Sequence, residues 1–114
     1  MATPGLTITA TPIGNLDDLS PRAVASFQSA DLIACEDTRH TGLMLNRLGI
    51  SHGQLISYHD HTSPKAREKL LKALADGKAI TLVSDAGTPL ISDPGYRLVR
   101  ACRERNIPVT TVPG

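Results

Sequence analysis

The sequence predicts an α/β fold in which a five-stranded, mostly parallel sheet is flanked by helices in three Rossmann-like layers. Short apolar segments alternate with longer amphipathic segments along the 114 residues, an order typical of parallel strands joined by crossover helices. Three of the four helices are predicted to begin at a Ser-Pro or Asp-Pro pair. A capping residue followed by proline is typical of a helix N-terminus. The length suits one domain with one core.

In the first half of the chain, residues 6–10 and 31–35 are the predicted strands. A helix follows Ser20 and Pro21 and runs through about Ser29. A second helix ends at Gly49, a natural C-cap. The positions expected in the core are Ala23, Val24 and Phe27 in the first helix and Leu43, Met44, Leu45 and Leu48 in the second.

In the second half, residues 54–58, 79–83 and 108–112 are the predicted strands. A third helix begins at Ser63-Pro64 and ends by Gly77, and a fourth runs from Gly95 to Arg105 after the Asp93-Pro94 cap. Their expected core positions are Ala66, Leu70, Leu71 and Leu74 in the third helix and Leu98, Val99 and Cys102 in the fourth.

The composition is that of an ordinary soluble globular protein, with 40% hydrophobic and 20% charged residues. A formal net charge of +1 gives no overall basic field, and three aromatic residues argue against a base-stacking platform. Cys35 and Cys102 lack metal-ligand spacing and are expected to be buried thiols. The sequence contains neither a signal-peptide pattern nor a membrane-spanning apolar run, so we expect a soluble, cytoplasmic protein without a membrane partner.

Right-handed crossovers should bring the loops that follow the strands to one edge of the sheet. These loops are residues 11–18, 36–41, 58–62, 85–93 and 113–114, and they hold most of the unusual polar residues. In the fourth loop, Ala86 and Gly87 would let a ligand approach the backbone, and Asp85 could accept hydrogen bonds. A well-formed βα turn without a ligand explains that loop about equally well.

Residues 36–40 form the polar cluster whose side chains are best suited to binding and catalysis. Its two carboxylates, Arg39 and His40 could hold a phosphate and move a proton, although acidic residues at a helix N-terminus explain part of the cluster. A metal site is not expected at His59, Asp60 and His61. On an extended segment the two histidines share a face while Asp60 points away, and no other residue has the spacing of a third ligand. Glycine-rich phosphate loops and a serine-hydrolase elbow are absent from the sequence. Basic residues on the third and fourth helices are explained by a solvated face, with phosphate contacts as an alternative.

Residues 11–16, 36–41, 84–89 and 92–96 together resemble motifs of a known family. The chain resembles the bacterial 16S ribosomal RNA cytidine 2′-O-ribose methyltransferases of the tetrapyrrole-methylase superfamily. Relatives that act on porphyrin precursors carry a glycine-rich first loop, whereas the first loop here is similar to the RNA branch. The resemblance implies S-adenosylmethionine-dependent methyl transfer to a cytidine 2′-hydroxyl in the small ribosomal subunit. It also implies a two-domain enzyme, usually a homodimer, of which residues 1–114 look like the N-terminal domain without its C-terminal partner.

The resemblance also implies roles for individual residues. The expected cofactor-binding residues are Pro12, Ser84, Asp85, Ala86, Gly87, Thr88, Pro113 and Gly114. The catalytic candidates are Asp37 or His40 as the acceptor of the hydroxyl proton and Arg39 as a phosphate ligand. We expect the domain alone to fold but not to catalyse. Methylation of a tetrapyrrole or another small molecule, and a non-catalytic RNA-binding module, are the alternatives.

Overall fold

A computed structural model describes residues 4–11, 19–59, 63–84 and 93–112. Nine elements alternate in this part of the chain, and each strand boundary lies within one residue of the predicted one, which confirms the predicted order. The strands are β1 (Gly5–Ala10), β2 (Leu32–Cys35), β3 (Gln54–Ser57), β4 (Ala79–Ser84) and β5 (Val109–Val112). The helices are α1 (Pro21–Ser29), α2 (Thr38–Arg47), α3 (Ser63–Ala75) and α4 (Asp93–Glu104).

The five strands form one sheet in the order β3-β2-β4-β1-β5. Each of the four strand pairs is parallel, with Ile8 opposite Leu82 in the β1–β4 pair and opposite Thr111 in the β1–β5 pair. The fold class is therefore confirmed. Since parallel strands end at the same side of a sheet, the segments that follow β1, β2, β3 and β4 leave from one edge.

Two helices cover each face of the sheet. Leu70 of α3 and Leu98 of α4 pack on one face with Ile80 and Leu82, in a cluster of buried side chains. Phe27 of α1 and residues of α2 pack on the other face, where Val83 contacts their cluster. Successive residues of β4 thus face opposite layers, as the alternation of a strand requires, and the result is the expected three-layer arrangement.

The predicted helix ends are largely confirmed. The hydroxyl of Ser20 accepts a hydrogen bond from the Ala23 amide at 3.1 Å, which caps α1 ahead of Pro21. Gly49 follows α2 with a φ of 66°, the left-handed conformation that glycine adopts at a helix C-terminus. The fourth helix begins at Asp93, two residues before the predicted start.

One predicted core position is wrong. Leu43 is 69% exposed, whereas Met44 and Leu45 are buried beside Thr41. Successive residues of a helix point about 100° apart, so three in a row cannot all face a single sheet. Cys35 and Cys102 are buried free thiols, as predicted.

Candidate active site at the carboxyl edge of the sheet

The ends of β1 and β4 are joined by a backbone and a side-chain hydrogen bond. The Thr11 amide donates to the Ser84 carbonyl oxygen at 2.7 Å, and the Thr11 hydroxyl donates to the same oxygen at 3.1 Å. Both residues are buried. Because β4 continues into residues 85–92, this pair holds the point from which the predicted cofactor loop leaves the sheet.

The topology predicts a ligand-binding crevice at this edge. The segments after β1 and β2 lead to α1 and α2 on one face, whereas the segment after β4, which lies between those strands, leads to α4 on the other. Neighbouring strands whose connections leave on opposite faces create the cleft in which α/β sheets bind ligands. The small residues Ala10 and Ser84 end β1 and β4, which would let a ligand approach the backbone closely.

Asp37 lies at the end of β2 and caps α2. Its Oδ1 atom accepts hydrogen bonds from the Arg39 amide at 3.0 Å and the His40 amide at 3.5 Å. The Oδ2 atom takes no part in these bonds. Helix capping therefore explains the presence of a carboxylate at Asp37. The helix α2 itself begins at Thr38 and has no acidic residue in its first turn.

Arg39 and His40 are exposed in the first turn of α2, on the same edge of the sheet as Ser84. The fold therefore brings the three predicted catalytic residues, Asp37 included, together within one helical turn. Among the described residues, the single ion pair joins Arg100 and Glu104, so the guanidinium of Arg39 is in no described ion pair.

Tyr58 contributes a buried polar group that the sequence did not reveal. Its ring is 3% exposed, and its hydroxyl donates a hydrogen bond to the carbonyl oxygen of Pro94. Burial raises the pKa of the phenol, while the nearby guanidinium groups of Arg67 and Arg97 act in the opposite direction. The available signal was alternation, because Tyr58 follows the buried Ile56 by two positions and faces the same cluster.

Arg67 of α3 reaches the same place. Its guanidinium lies close enough to the Tyr58 phenol to act on the pKa of that group, and its Nη1 atom is buried without a hydrogen-bond partner in the described part of the chain. An unpaired buried donor of this kind is costly unless it meets an acceptor. The N-terminal parts of α3 and α4 therefore place the guanidinium groups of Arg67 and Arg97 near Tyr58, at the end of β3.

Most of the predicted cofactor residues lie outside the described residues, so their placement stays a prediction. They are Pro12, Asp85, Ala86, Gly87, Thr88, Pro113 and Gly114. Asp60 and His61 lie outside them as well. In the described ranges, the side chains contain no group of three potential metal ligands, and none of the helices there is long and apolar enough to cross a membrane.

Comparison with known proteins places residues 5–114 in a family model described as Tetrapyrrole (Corrin/Porphyrin) Methylases. A ribosomal RNA small subunit methyltransferase I from Escherichia coli O157:H7 is 56% identical over 109 residues, covering 96% of this chain and 38% of the relative. Its counterpart from Synechocystis is 57% identical over 109 residues, with 96% and 39% covered. That from Xylella fastidiosa is 52% identical over 115 residues, with 100% and 42% covered. The chain thus spans about two fifths of the length of these relatives.

Solved structures share the fold at low identity. A cobalt precorrin-4 methyltransferase superimposes with a TM-score of 0.76 at 16% identity, covering 96% of this chain and 45% of that one. A uroporphyrin-III C-methyltransferase from Thermus thermophilus, complexed with S-adenyl homocysteine, gives 0.68 at 18% identity, with 96% and 48% covered. The sheet order agrees with the family match over residues 5–114, and the chain belongs to the tetrapyrrole (corrin/porphyrin) methylases.

Proposed function

We propose that the natural protein carrying this chain transfers a methyl group from S-adenosylmethionine to the 2′-hydroxyl of a cytidine in 16S ribosomal RNA, in the cytoplasm. The observation that carries the proposal is the 46–57% identity, over almost the whole chain, to proteins named ribosomal RNA small subunit methyltransferase I. By contrast, the solved methyltransferases of corrin and porphyrin precursors share 15–19% identity. The RNA is therefore favoured over a tetrapyrrole as substrate.

The proposed cofactor site is the crevice at the carboxyl edge of the sheet. S-Adenosylmethionine would supply an electrophilic methyl group on a sulfonium centre. Ser84 and residues 85–88 would bind it, with Pro12 and residues 113–114 beside them. The described residues fit such a ligand, since β1 and β4 end in the small residues Ala10 and Ser84, which leave the backbone accessible where residues 85–88 leave the sheet.

The proposed chemistry requires the ribose oxygen to approach the methyl group in line and to lose its proton. Holding the two groups in that geometry supplies much of the rate enhancement. Asp37 Oδ2 or the His40 imidazole would accept the hydroxyl proton, and Arg39 would bind a neighbouring phosphate with its planar guanidinium. The capping bonds to Asp37 Oδ1 support this assignment, because they hold the carboxylate in one orientation at the edge of the crevice.

We further propose that catalysis requires a second domain and a homodimer. The chain spans 38% of the Escherichia coli relative, so the remaining length of such proteins is available to cover the crevice. A cleft open on one side does not exclude water from the reacting groups. The 114 residues alone should therefore fold without catalysing methyl transfer.

The first test is calorimetric titration of S-adenosylmethionine into the 114-residue chain and into the natural protein that carries it, followed by methyl transfer to small ribosomal subunits. We expect binding and transfer by the natural protein, and weak or undetectable binding by the 114 residues. Absence of binding to both would contradict the methyltransferase and favour an RNA-binding module. Transfer to a tetrapyrrole precursor but not to RNA would establish the alternative substrate.

The catalytic assignment is tested by replacing Asp37, Arg39 and His40 singly with alanine in the natural protein. We expect slower methyl transfer with S-adenosylmethionine affinity largely unchanged. Unchanged turnover in all three variants would overturn the assignment.

A further inference from the structure

Positive charge is concentrated on one face of the molecule. Segments 63–78 and 93–105, which comprise α3, α4 and the turns after them, contain nine of the twelve Lys and Arg residues and four carboxylates. Residues 20–49, which comprise α1, α2 and the strand between them, contain three cations and three carboxylates. The net charge of +1 therefore conceals a difference of five charges between two opposite layers of the fold.

The cations on this face point to solvent. Eight of the nine are exposed, and Arg67 is half-buried. Among the described residues, only one of these cations is in an ion pair. It is Arg100, which lies 3.3 Å from Glu104, and the two side chains are 71% and 67% exposed. An ion pair this exposed contributes little stability and is readily exchanged for another anion. The face is thus available to a polyanion.

The α3 and α4 helices are neighbours in one layer. Leu70 of α3 and Leu98 of α4 belong to the same buried cluster, and the two helices are in direct contact. Packed helix axes lie about 8–10 Å apart. The exposed faces therefore form two adjacent rows of positive charge, with Lys65, Lys69 and Lys72 in one and Arg97, Arg100 and Arg103 in the other.

These rows reach the candidate active site. The helices α3 and α4 follow the parallel strands β3 and β4 and so begin at the carboxyl edge of the sheet, which places Lys65 and Arg97, the first residue of each row, toward that edge. Tyr96, which is 59% exposed, lies beside Arg97 and lines a shallow groove with Val99, two arginines and the Glu104 that pairs with one of them, Arg100. An exposed aromatic ring beside guanidinium groups suits the stacking of an unpaired base.

We infer that the outer surface of α3 and α4 binds the phosphate backbone of the RNA on the way to the carboxyl edge of the sheet. This inference rests on the proposed function, which makes RNA the substrate. Arginine and lysine pair with phosphates, and their binding releases condensed counterions. The opposite layer, with balanced charges, lacks this driving force.

The test compares two double variants of the natural protein. Lys69→Gln with Arg103→Gln removes one cation from each row, and Arg22→Gln with Arg47→Gln removes two exposed cations from the opposite layer. Glutamine has a helix propensity close to that of lysine and arginine, so all four helices should persist. Binding to a protein-free 16S RNA fragment is measured as a function of salt, together with the kcat and KM of methyl transfer and the affinity for S-adenosylmethionine.

We expect the α3–α4 variant to lose about 1.4 from the slope of log K against log salt and about tenfold in RNA affinity, from two single-strand phosphate contacts. Its KM for RNA should rise, while its affinity for S-adenosylmethionine should not change. The Arg22 and Arg47 control should resemble the unmodified protein. Equal slopes in the two variants would overturn the inference.

Two further outcomes separate this inference from the proposed function. If the unmodified protein methylates RNA and the α3–α4 variant keeps its KM and salt slope, the surface is wrong and the function stands. If RNA binding falls as expected but no methyl transfer occurs, the surface stands and the function is wrong. Weaker binding to intact small subunits with normal binding to protein-free RNA would assign the surface to an acidic ribosomal protein, which also overturns the inference.

Discussion

The hydroxyl of Tyr58 donates a hydrogen bond to the carbonyl oxygen of Pro94, which joins the end of the edge strand β3 to the first turn of α4. The tyrosine ring is buried with Leu70 and Leu98, so its hydroxyl has little freedom to move. The bond therefore holds the start of α4, immediately after the segment that we propose as the cofactor loop.

Replacing Tyr58 with phenylalanine should lower the free energy of unfolding by about 1 kcal/mol, the usual contribution of one hydrogen bond. In the natural protein, the same change should weaken S-adenosylmethionine binding, because α4 loses one of its fixed points. Denaturant unfolding and calorimetric titration measure the two effects. The matched control is Tyr96→Phe, which removes a hydroxyl from an exposed ring and should change stability by less than about 0.5 kcal/mol. Equal stability losses in the two variants would contradict the role of the bond.

Asp37 combines a structural and a proposed catalytic role, and two substitutions separate them. Asp37→Asn keeps an oxygen that can cap α2, so stability should be nearly unchanged while methyl transfer falls with the lost carboxylate. Asp37→Ala should lose methyl transfer too, and in addition it should lower the free energy of unfolding by about 1 kcal/mol, because the cap is removed. Denaturant unfolding beside single-turnover methyl transfer distinguishes the two. Full turnover by the asparagine variant would leave Asp37 with capping alone.

Stability should fall in alkaline solution, and Cys102 should begin the decline. Burial raises the pKa of its thiol from 9.0 to about 11, so the folded protein retains a proton that the unfolded chain has already lost. This contribution is complete below pH 9 and is lost as the pH rises through about 11. Tyr58, whose pKa is raised above 10.0, adds to the loss at the upper end.

The measurement is the free energy of unfolding under reducing conditions, from about pH 8, below the ordinary thiol pKa of 9.0, to about pH 11, near the value in the folded protein. The Cys102→Ala variant should be flatter than the unmodified chain in the lower part of this range, where Tyr58 does not yet titrate. Identical profiles would show that the buried thiol does not couple to folding.

Two glycines should respond to alanine with opposite signs. Gly5 has a φ of 119°, and a Cβ there would lie 2.8 Å from the Pro108 carbonyl oxygen, so Gly5→Ala should destabilise the fold by more than about 1 kcal/mol. Gly42 lies inside α2, where a Cβ would meet Leu55 Cδ1 at 3.4 Å. Because that contact is ordinary, Gly42→Ala should raise stability by about 0.5–1 kcal/mol through higher helix propensity. Thermal and denaturant unfolding check both signs.

Local patterns predicted the elements because each element has a local cause. Ser20 followed by Pro21 predicts a helix start at any position, and the apolar run at residues 79–83 predicts a buried strand. The order of the strands has no such local signal. Placing β1 between β4 and β5 depends on contacts between residues far apart in sequence, such as Leu6 with Val109. The one wrong core residue, Leu43, lies where several apolar side chains compete for one inward-facing stripe.

The candidate site divides in the same way. The cluster at Asp37, Arg39 and His40 was found because those residues are adjacent in the sequence. The role of Tyr58 was missed because its partner Pro94 lies 36 positions away. The basic surface was underestimated, since the sequence shows cations on two helices but does not show that the helices share a layer.

The pairing of β1 also has a consequence for synthesis. Along the chain β1 precedes both of its neighbours, since Gly5 pairs with Ala79 and Leu6 with Val109, so it is made well before the residues that cover its two sides. Until they arrive, the apolar residues of β1 and the backbone groups along both of its sides have no native cover. A nascent chain that stops before β5 leaves β1 open on one side. Formation of the four-residue strand β5 therefore covers the open side of β1 and prevents it from pairing with other chains.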